Sequence, residues 1–368
     1  MKKKILTVVG TRPNFIKITQ FEKAFKVYSD ILEYYLVHTG QHFDEMMSKV
    51  FFEQLNIKEP DYYLNAKGEN PTQQIADIIL KLEKVIGELK PDLIIVVGDV
   101  NSTLAAAICA NKMKVKLAHL ESGLRSYDRT MPEELNRILT DELTDFFFIS
   151  EKSGKDNLLK EGKSTEKLSY VGNTMIDTLV AFDKEISDSK IRDELKIDNP
   201  YILITMHRPA TVDNKPGLEK MIQVFGSLSK DYNLVFPIHP RTRKNLLKFD
   251  LYEIFEKIDN LHITSPLDYI AFQKLIRDAF LVLTDSGGIQ EETTFRKVPC
   301  LTLRPNTERP STINVGTNEL ISFDTNLIKQ KLQAIEDKSF KINSTIPELW
   351  DGKASFRIAE IISKLDLS

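Results

Sequence analysis

Short apolar runs rich in β-branched residues alternate with segments of helical spacing along almost the whole chain. That alternation limits the folds open to it. The runs are 5–9, 31–38, 93–97, 116–120, 146–149 and 168–171, then 201–206, 233–237, 261–263, 281–284 and 300–303. Helical patterns such as 72–89, 218–228 and 270–277 lie between them. This pattern predicts an α/β protein with parallel sheets covered by helices on both faces. At 368 residues and 42% hydrophobic content, the chain is long and apolar enough for two cores.

The same arrangement occurs twice. ILTVVGTRPN opens the first series and ILITMHRPAT the second; each is a buried strand, then a cation, then Pro. VVGDVNSTLAAA and VLTDSGGIQEET each end a strand with Asp and small residues before a helix. Two α/β units in tandem are the simplest account, with the charged stretch 184–200 as their join. Residues 354–367 read as a final amphipathic helix.

Several classes are excluded. A net charge of −3 lacks the surplus of cations that nucleic-acid or membrane-surface binding needs. Cys109 and Cys300 are too few and too far apart for a disulfide framework or a Cys-based zinc site, and read as thiols of a reducing cytoplasm. The first apolar run is too short for a signal peptide, and no run approaches a membrane span.

In open parallel sheets, ligands sit beyond the carboxyl ends of the strands, and the unusual polar clusters follow strands. In TDSGGIQEE (284–292), Ser286, Gly287 and Gly288 are small enough to let backbone N–H groups reach a phosphate at a helix N-terminus. Glu292 lies where it can accept ribose hydroxyls; the alternative is an ordinary capped turn with acidic first-turn residues. Gly10-Thr11-Arg12-Pro13 with Lys17 sets two cations at a strand end, suited to a diphosphate or simply solvated. His207-Arg208-Pro209 holds the matching place in the second unit, where the histidine is either structural or catalytic. The densest run joins HLESGLR (119–125) to PEELNR (132–137). Spacing gives the second motif a helix with Leu135, Ile138, Leu139 and Leu143 as its apolar face. Glu133, Asn136, Arg137 and Thr140 then lie opposite, with Glu133 and Arg137 as an i,i+4 pair. That polar face either lines a cleft or is solvated. Asp99, after the run 93–97, adds a carboxylate.

No G-x-G-x-x-G follows a strand, which argues against bound NAD. P-loop, nucleophile-elbow and H-E-x-x-H motifs are also missing from the sequence.

Taken together, GTRPNFIK, HTGQHFDEMM, GDVNSTLA, HLESGLRS, MPEELNR, GNTMIDTL, HRPAT, TDSGGIQEE and TERP resemble the non-hydrolysing UDP-N-acetylglucosamine 2-epimerases, in family order over nearly the whole chain. The resemblance implies a GT-B-like fold of two Rossmann-type domains facing across a cleft. The first would span 1–171, completed by the helix 354–368; the second, binding UDP, would span 172–353. It implies a cytoplasmic homodimer interconverting UDP-GlcNAc and UDP-ManNAc, with no metal and no cofactor. Ser286, Gly287 and Gly288 would take the phosphates, Glu292 the ribose, and Leu267 and Phe272 the uracil. Arg12, Lys17, Arg137, His207 and Arg309 would line the nucleotide-sugar site. Asp99, Glu121 and Glu133 match the catalytic carboxylates, and His207 joins them. Two segments depart from the pattern: Pro209-Ala210-Thr211 after the His-Arg pair, and Gln41-His42-Phe43-Asp44 where some bacterial members contact an activating second UDP-GlcNAc.

Inverting C2 requires loss of an unactivated proton. Transient oxidation at C3 would need a nicotinamide, so the resemblance favours anti elimination of UDP to a 2-acetamidoglucal and re-addition. Alternatives are an epimerase for a 3-acetamido or uronic-acid UDP-sugar, a GT-B glycosyltransferase, a hydrolysing enzyme releasing free ManNAc, and a non-catalytic UDP-sugar sensor.

Overall fold

The computed structural model describes residues 2–41, 52–197 and 200–367. They form two compact units, Met1–Ala181 with Glu348–Ser368, and Phe182–Pro347.

The first unit is built on β1 (Lys3–Val9), β2 (Leu32–His38), β3 (Tyr62–Tyr63), β4 (Leu93–Val97), β5 (Lys116–Leu120), β6 (Phe146–Ile149) and β7 (Leu168–Tyr170). They form one parallel sheet in the order β3-β2-β1-β4-β5-β6-β7. All five residues of β4 are buried, because helices cover both faces; hence its run of LIIVV without alternation. The helix Pro71–Leu89 starts where the Asn70 side chain accepts the Gln73 N–H at 3.0 Å and Pro71 occupies the first turn. Its apolar face, Ile78, Leu82, Val85, Ile86 and Leu89, packs into the core, where truncating one such leucine costs about 2–5 kcal/mol.

The second unit repeats the plan with β8 (Tyr201–Thr205), β9 (Asn233–Pro237), β10 (Leu261–Thr264), β11 (Leu281–Thr284), β12 (Cys300–Thr302) and β13 (Asn318–Leu320). The parallel order is β10-β9-β8-β11-β12-β13. The helix Lys215–Leu228, capped by Asn214, buries Leu218, Met221, Val224, Phe225 and Leu228. Phe225, Phe236 and Phe255 meet ring to ring at its centre, with centroids 5.4 to 5.7 Å apart.

Every strand expected from the sequence is present, and both sheets are parallel as predicted. The short strands β3 and β13 were not foreseen. Of the stretch 184–200, expected as a join, the described residues belong instead to the second unit. Ile191 and Ile197 enter its core, and Lys274 Nζ donates to the Ser187 carbonyl at 3.3 Å.

The first unit continues through the helix Thr174–Ala181 because that helix packs on Arg12–Ile18, with the Thr19 and Thr178 hydroxyls 2.6 Å apart. The last helix, Ala354–Lys364, is fastened to it: Asp177 accepts the N–H groups of Ala354 and Ser355 at 3.0 and 2.6 Å. Trp350 Nε1 donates to the Ser150 carbonyl at 2.9 Å.

Candidate functional site

In each sheet the first strand is flanked by its second strand on one side and a later strand on the other. The order of connection therefore reverses between β1 and β4, and again between β8 and β11. Such switch points open a crevice beyond the strand ends. Several of the residues that the sequence singled out follow the strands at these switch points.

In the first unit, Asn14 fastens the seam. Its Oδ1 accepts the N–H groups of Gly10 and Thr11 at 3.1 and 3.2 Å, and its Nδ2 donates to the Val97 carbonyl at 3.1 Å. Gly10 is required by close approach, since a Cβ there would lie 2.1 Å from Ser102 Oγ. Lys17 meets Glu121 at 2.5 Å, with side chains 6% and 4% exposed. Gly98 (φ +66) turns the chain beside this pair; its Cβ position lies 3.4 Å from Lys17 Nζ and 3.6 Å from Glu121 Oε2. Asp99 follows and pairs with Arg137, while Asn136 Nδ2 donates to the Asp99 carbonyl at 2.9 Å. Arg12 is half-buried at the end of β1, and burial lowers its guanidinium from the ordinary value. Glu121 itself has φ +69, a left-handed conformation that costs a non-glycine residue about 1–3 kcal/mol.

In the helix Pro132–Leu143 the polar face turns inward rather than to solvent, with Glu133 as the exception. Glu134, Asn136, Arg137, Thr140 and Asp141 are buried, whereas Leu135 and Leu139 are 37% and 50% exposed. Specific partners account for this burial. Glu134 accepts the N–H groups of Ser126 and Tyr127 at 2.9 and 2.8 Å and pairs with Arg137 at 2.5 Å. Asp141 sits 2.6 Å from His119 Nδ1, accepts the Gly123 N–H at 3.0 Å and pairs with Arg125 at 2.7 Å. Burial works to raise the Asp141 carboxyl, but His119 and Arg125 outweigh it and hold it below the usual range. His119 Nε2 reaches the Gly98 carbonyl at 2.8 Å, so one buried imidazole braces the turns after β4 and β5. The expected Glu133–Arg137 pair is replaced by Arg137 with Glu134 and Asp99. Glu133 stands exposed in the first turn.

Gln41 caps the helix Asn101–Lys112: its Oε1 accepts the Ser102 N–H at 2.9 Å. His42 lies outside the described residues.

In the second unit, Ser286, Gly287 and Gly288 follow β11 and lead into the helix Gly288–Arg296, half-buried with N–H groups at the helix start. A Cβ on Gly287 would lie 2.6 Å from Glu308 Oε1. Glu292 is buried one turn further on. Burial pushes its carboxyl up to about 7, against the opposing pull of Gln273 and Arg296. Leu267 and Phe272 are half-buried against the same core edge. Arg309 Nε pairs with Glu291 at 3.0 Å. His207, at the end of β8, lies 3.0 Å from Asp285 through Nδ1.

Sequence reasoning missed Asn14, Glu134, Gln273 and the Asp285 partnership. Only Asp285 carried a signal: it and Asp99 are the strand-end aspartates of two similar segments.

The model of the UDP-N-acetylglucosamine 2-epimerase family matches residues 26–363. The chain belongs to the UDP-N-acetylglucosamine 2-epimerase family. It is 38% identical to the epimerase of that name from Methanocaldococcus jannaschii, over 98% of this chain and 99% of that protein. It is 37% identical to the UDP-2,3-diacetamido-2,3-dideoxy-D-glucuronate 2-epimerase of Pseudomonas aeruginosa, over 98% and 100%. The crystal structure of the M. jannaschii epimerase in complex with UDP-GlcNAc and UDP gives a TM-score of 0.88 at 38% identity, over 98% and 99% of the two chains. The Neisseria meningitidis epimerase bound to UDP-GlcNAc gives 0.88 at 31% identity, over 98% and 100%. Both units are thus Rossmann-type domains of a GT-B-like epimerase, an isomerase fold. No helix among the described residues is long and apolar enough to cross a membrane.

Proposed function

We propose that the protein interconverts UDP-GlcNAc and UDP-ManNAc without hydrolysis, by anti elimination of UDP and its re-addition. A base removes the C2 proton as the C1–O bond to UDP breaks, leaving the 2-acetamidoglucal. A proton then adds to the opposite face of C2, and the UDP oxygen returns to C1. The observation that carries this reading is the placement of the residues matching the family motifs at the two switch points.

The second unit binds UDP: Ser286, Gly287 and Gly288 hold the phosphates, Glu292 the ribose, and Leu267 and Phe272 border the uracil. Asp99, Glu121 and Glu133 handle protons, each such group contributing about 10²–10⁴-fold. Arg12, Lys17, Arg137 and Arg309 provide positive charge for the departing diphosphate, and His207 serves as a further acid–base group. No cofactor is required by this route. The protein acts in the cytoplasm as a homodimer; the outward Leu135 and Leu139 favour burial against a second copy.

Incubation with UDP-GlcNAc in D₂O, followed by proton NMR, tests the reading. UDP-ManNAc carrying deuterium at C2 is expected, and epimerisation without deuterium rejects the mechanism. The resemblance to the P. aeruginosa enzyme supports a second reading, in which the sugar is a 2,3-diacetamido uronate. The same time course with that nucleotide sugar distinguishes the two.

A further inference from the structure

His207 stands at the end of β8 and Asp285 at the end of β11, the adjacent strand across the switch point. Threonines lock the strand ends together: the hydroxyls of Thr205 and Thr284 are 2.6 Å apart, and the Asp285 N–H donates to the Thr205 carbonyl at 3.2 Å. Asp285 has no exposed surface. One carboxylate oxygen accepts the backbone N–H groups of His207 and Arg208 at 2.9 and 2.8 Å. The other lies 3.0 Å from His207 Nδ1. The carboxylate therefore holds the backbone at His207 and Arg208 and stands beside the His207 ring. Burial works to raise its carboxyl, but the His207 contact and the backbone donors outweigh this and keep it ionised. That second oxygen is buried and has no other hydrogen-bond partner among the described residues, and an ionised carboxylate only accepts, so a hydrogen on the nearby Nδ1 is the donor that it lacks. The His207 side chain is 41% exposed, so the ring is not sealed in by its partner.

We propose that Asp285 is a positioning residue that holds His207 as the Nδ1–H tautomer, with Nε2 open for proton exchange with the nucleotide sugar. This rests on the epimerase reading given above. A neutral ring in that state takes one proton at Nε2, becomes an imidazolium balanced by the Asp285 carboxylate, and returns the proton from the same nitrogen. The logic is that of an orienting carboxylate behind a catalytic histidine. Asp285 touches no substrate and acts through His207 alone.

Asp285→Asn tests the assignment. The Asn oxygen can still accept the two backbone N–H groups, but its amide would face Nδ1 with donors and favour the opposite tautomer. The expected result is a fall in kcat of roughly 10²-fold or more, with KM and UDP affinity within about threefold. In a His207→Ala background the same change should cost little more. Histidine ¹⁵N NMR of the wild-type protein at alkaline pH should report Nδ1–H for His207, which needs no variant to fold. A wild-type ring in the Nε2–H form overturns the proposal. So does a kcat for Asp285→Asn within tenfold of wild type, a loss matched by lost UDP affinity, or a full further loss on His207→Ala. Wild-type turnover of UDP-GlcNAc is measured first: its absence counts against the epimerase reading, while the NMR result still decides the tautomer.

Discussion

Lys17 Nζ and Glu121 Oε2 stand 2.5 Å apart where water is almost wholly excluded. Removing one partner strands the other charge, at a cost of about 3–5 kcal/mol. Lys17→Met should lower the unfolding free energy by that amount in urea titrations. Glu121→Gln keeps a hydrogen-bonding side chain, so it should destabilise less. Its turnover should nevertheless be lost, with UDP affinity by calorimetry within about threefold. Retained epimerase activity in Glu121→Gln would remove Glu121 from the proton-transfer groups.

Adjacent glutamates separate stability from turnover. Glu134 is buried against Arg137 and two backbone donors, whereas Glu133 is exposed. Glu134→Ala should cost at least about 3 kcal/mol. Glu133→Ala should stay within about 0.5 kcal/mol of wild type yet lose roughly 10²-fold or more in kcat. Chemical denaturation and steady-state kinetics on both variants decide this. A fully active Glu133→Ala enzyme contradicts the assignment.

Glu292, with its carboxyl pushed up to about 7 by burial, should make nucleoside binding depend on pH. The ionised form accepts ribose hydroxyls more strongly. Affinity should therefore rise as pH increases from 6 to 8. Uridine is the better probe, because UDP titrates in the same range. Glu292→Gln should flatten the profile, and a wild-type affinity that falls with pH would remove Glu292 from the ribose.

Asp177 gives a stability signature of its own. Burial pushes its carboxyl up to about 6, against the donors from Ser355 and Ala354. The folded chain therefore holds this proton more tightly than the unfolded chain does. The resulting stability is full below about pH 4 and is lost as pH rises through about 6, amounting to roughly 2–3 kcal/mol. Thermal melts should show wild type losing stability relative to Asp177→Asn between about pH 4 and 6, with little further change above that. A constant difference would contradict the shift.

The sequence exposed the strands clearly because each is covered on both faces, leaving near-continuous apolar runs such as 93–97. β3 and β13 were hidden by their length. The positions of Asp99, Lys17 and Ser286 followed from the rule for strand ends. For the helix 132–143, spacing left the polar face between a cleft and solvent and did not mark Glu134 and Asp141 as buried. The groups that draw Glu134 and Asp141 inward belong to residues 119–127, which helical spacing does not record. Asp285 was visible as the counterpart of Asp99, but its partner depends on which strands are neighbours.

The discontinuous first unit has a practical corollary. Residues 1–181 cannot be excised as a self-sufficient catalyst, because the last 21 residues complete their fold. The chain ends, however, are already close: Lys3 Nζ donates to the carbonyls of Ser363 and Leu365 at 3.1 and 2.6 Å. A short peptide linker could join those ends, with the new termini cut at one of the two crossings, near 181 or near 347. The circular permutant would express either half as one uninterrupted segment.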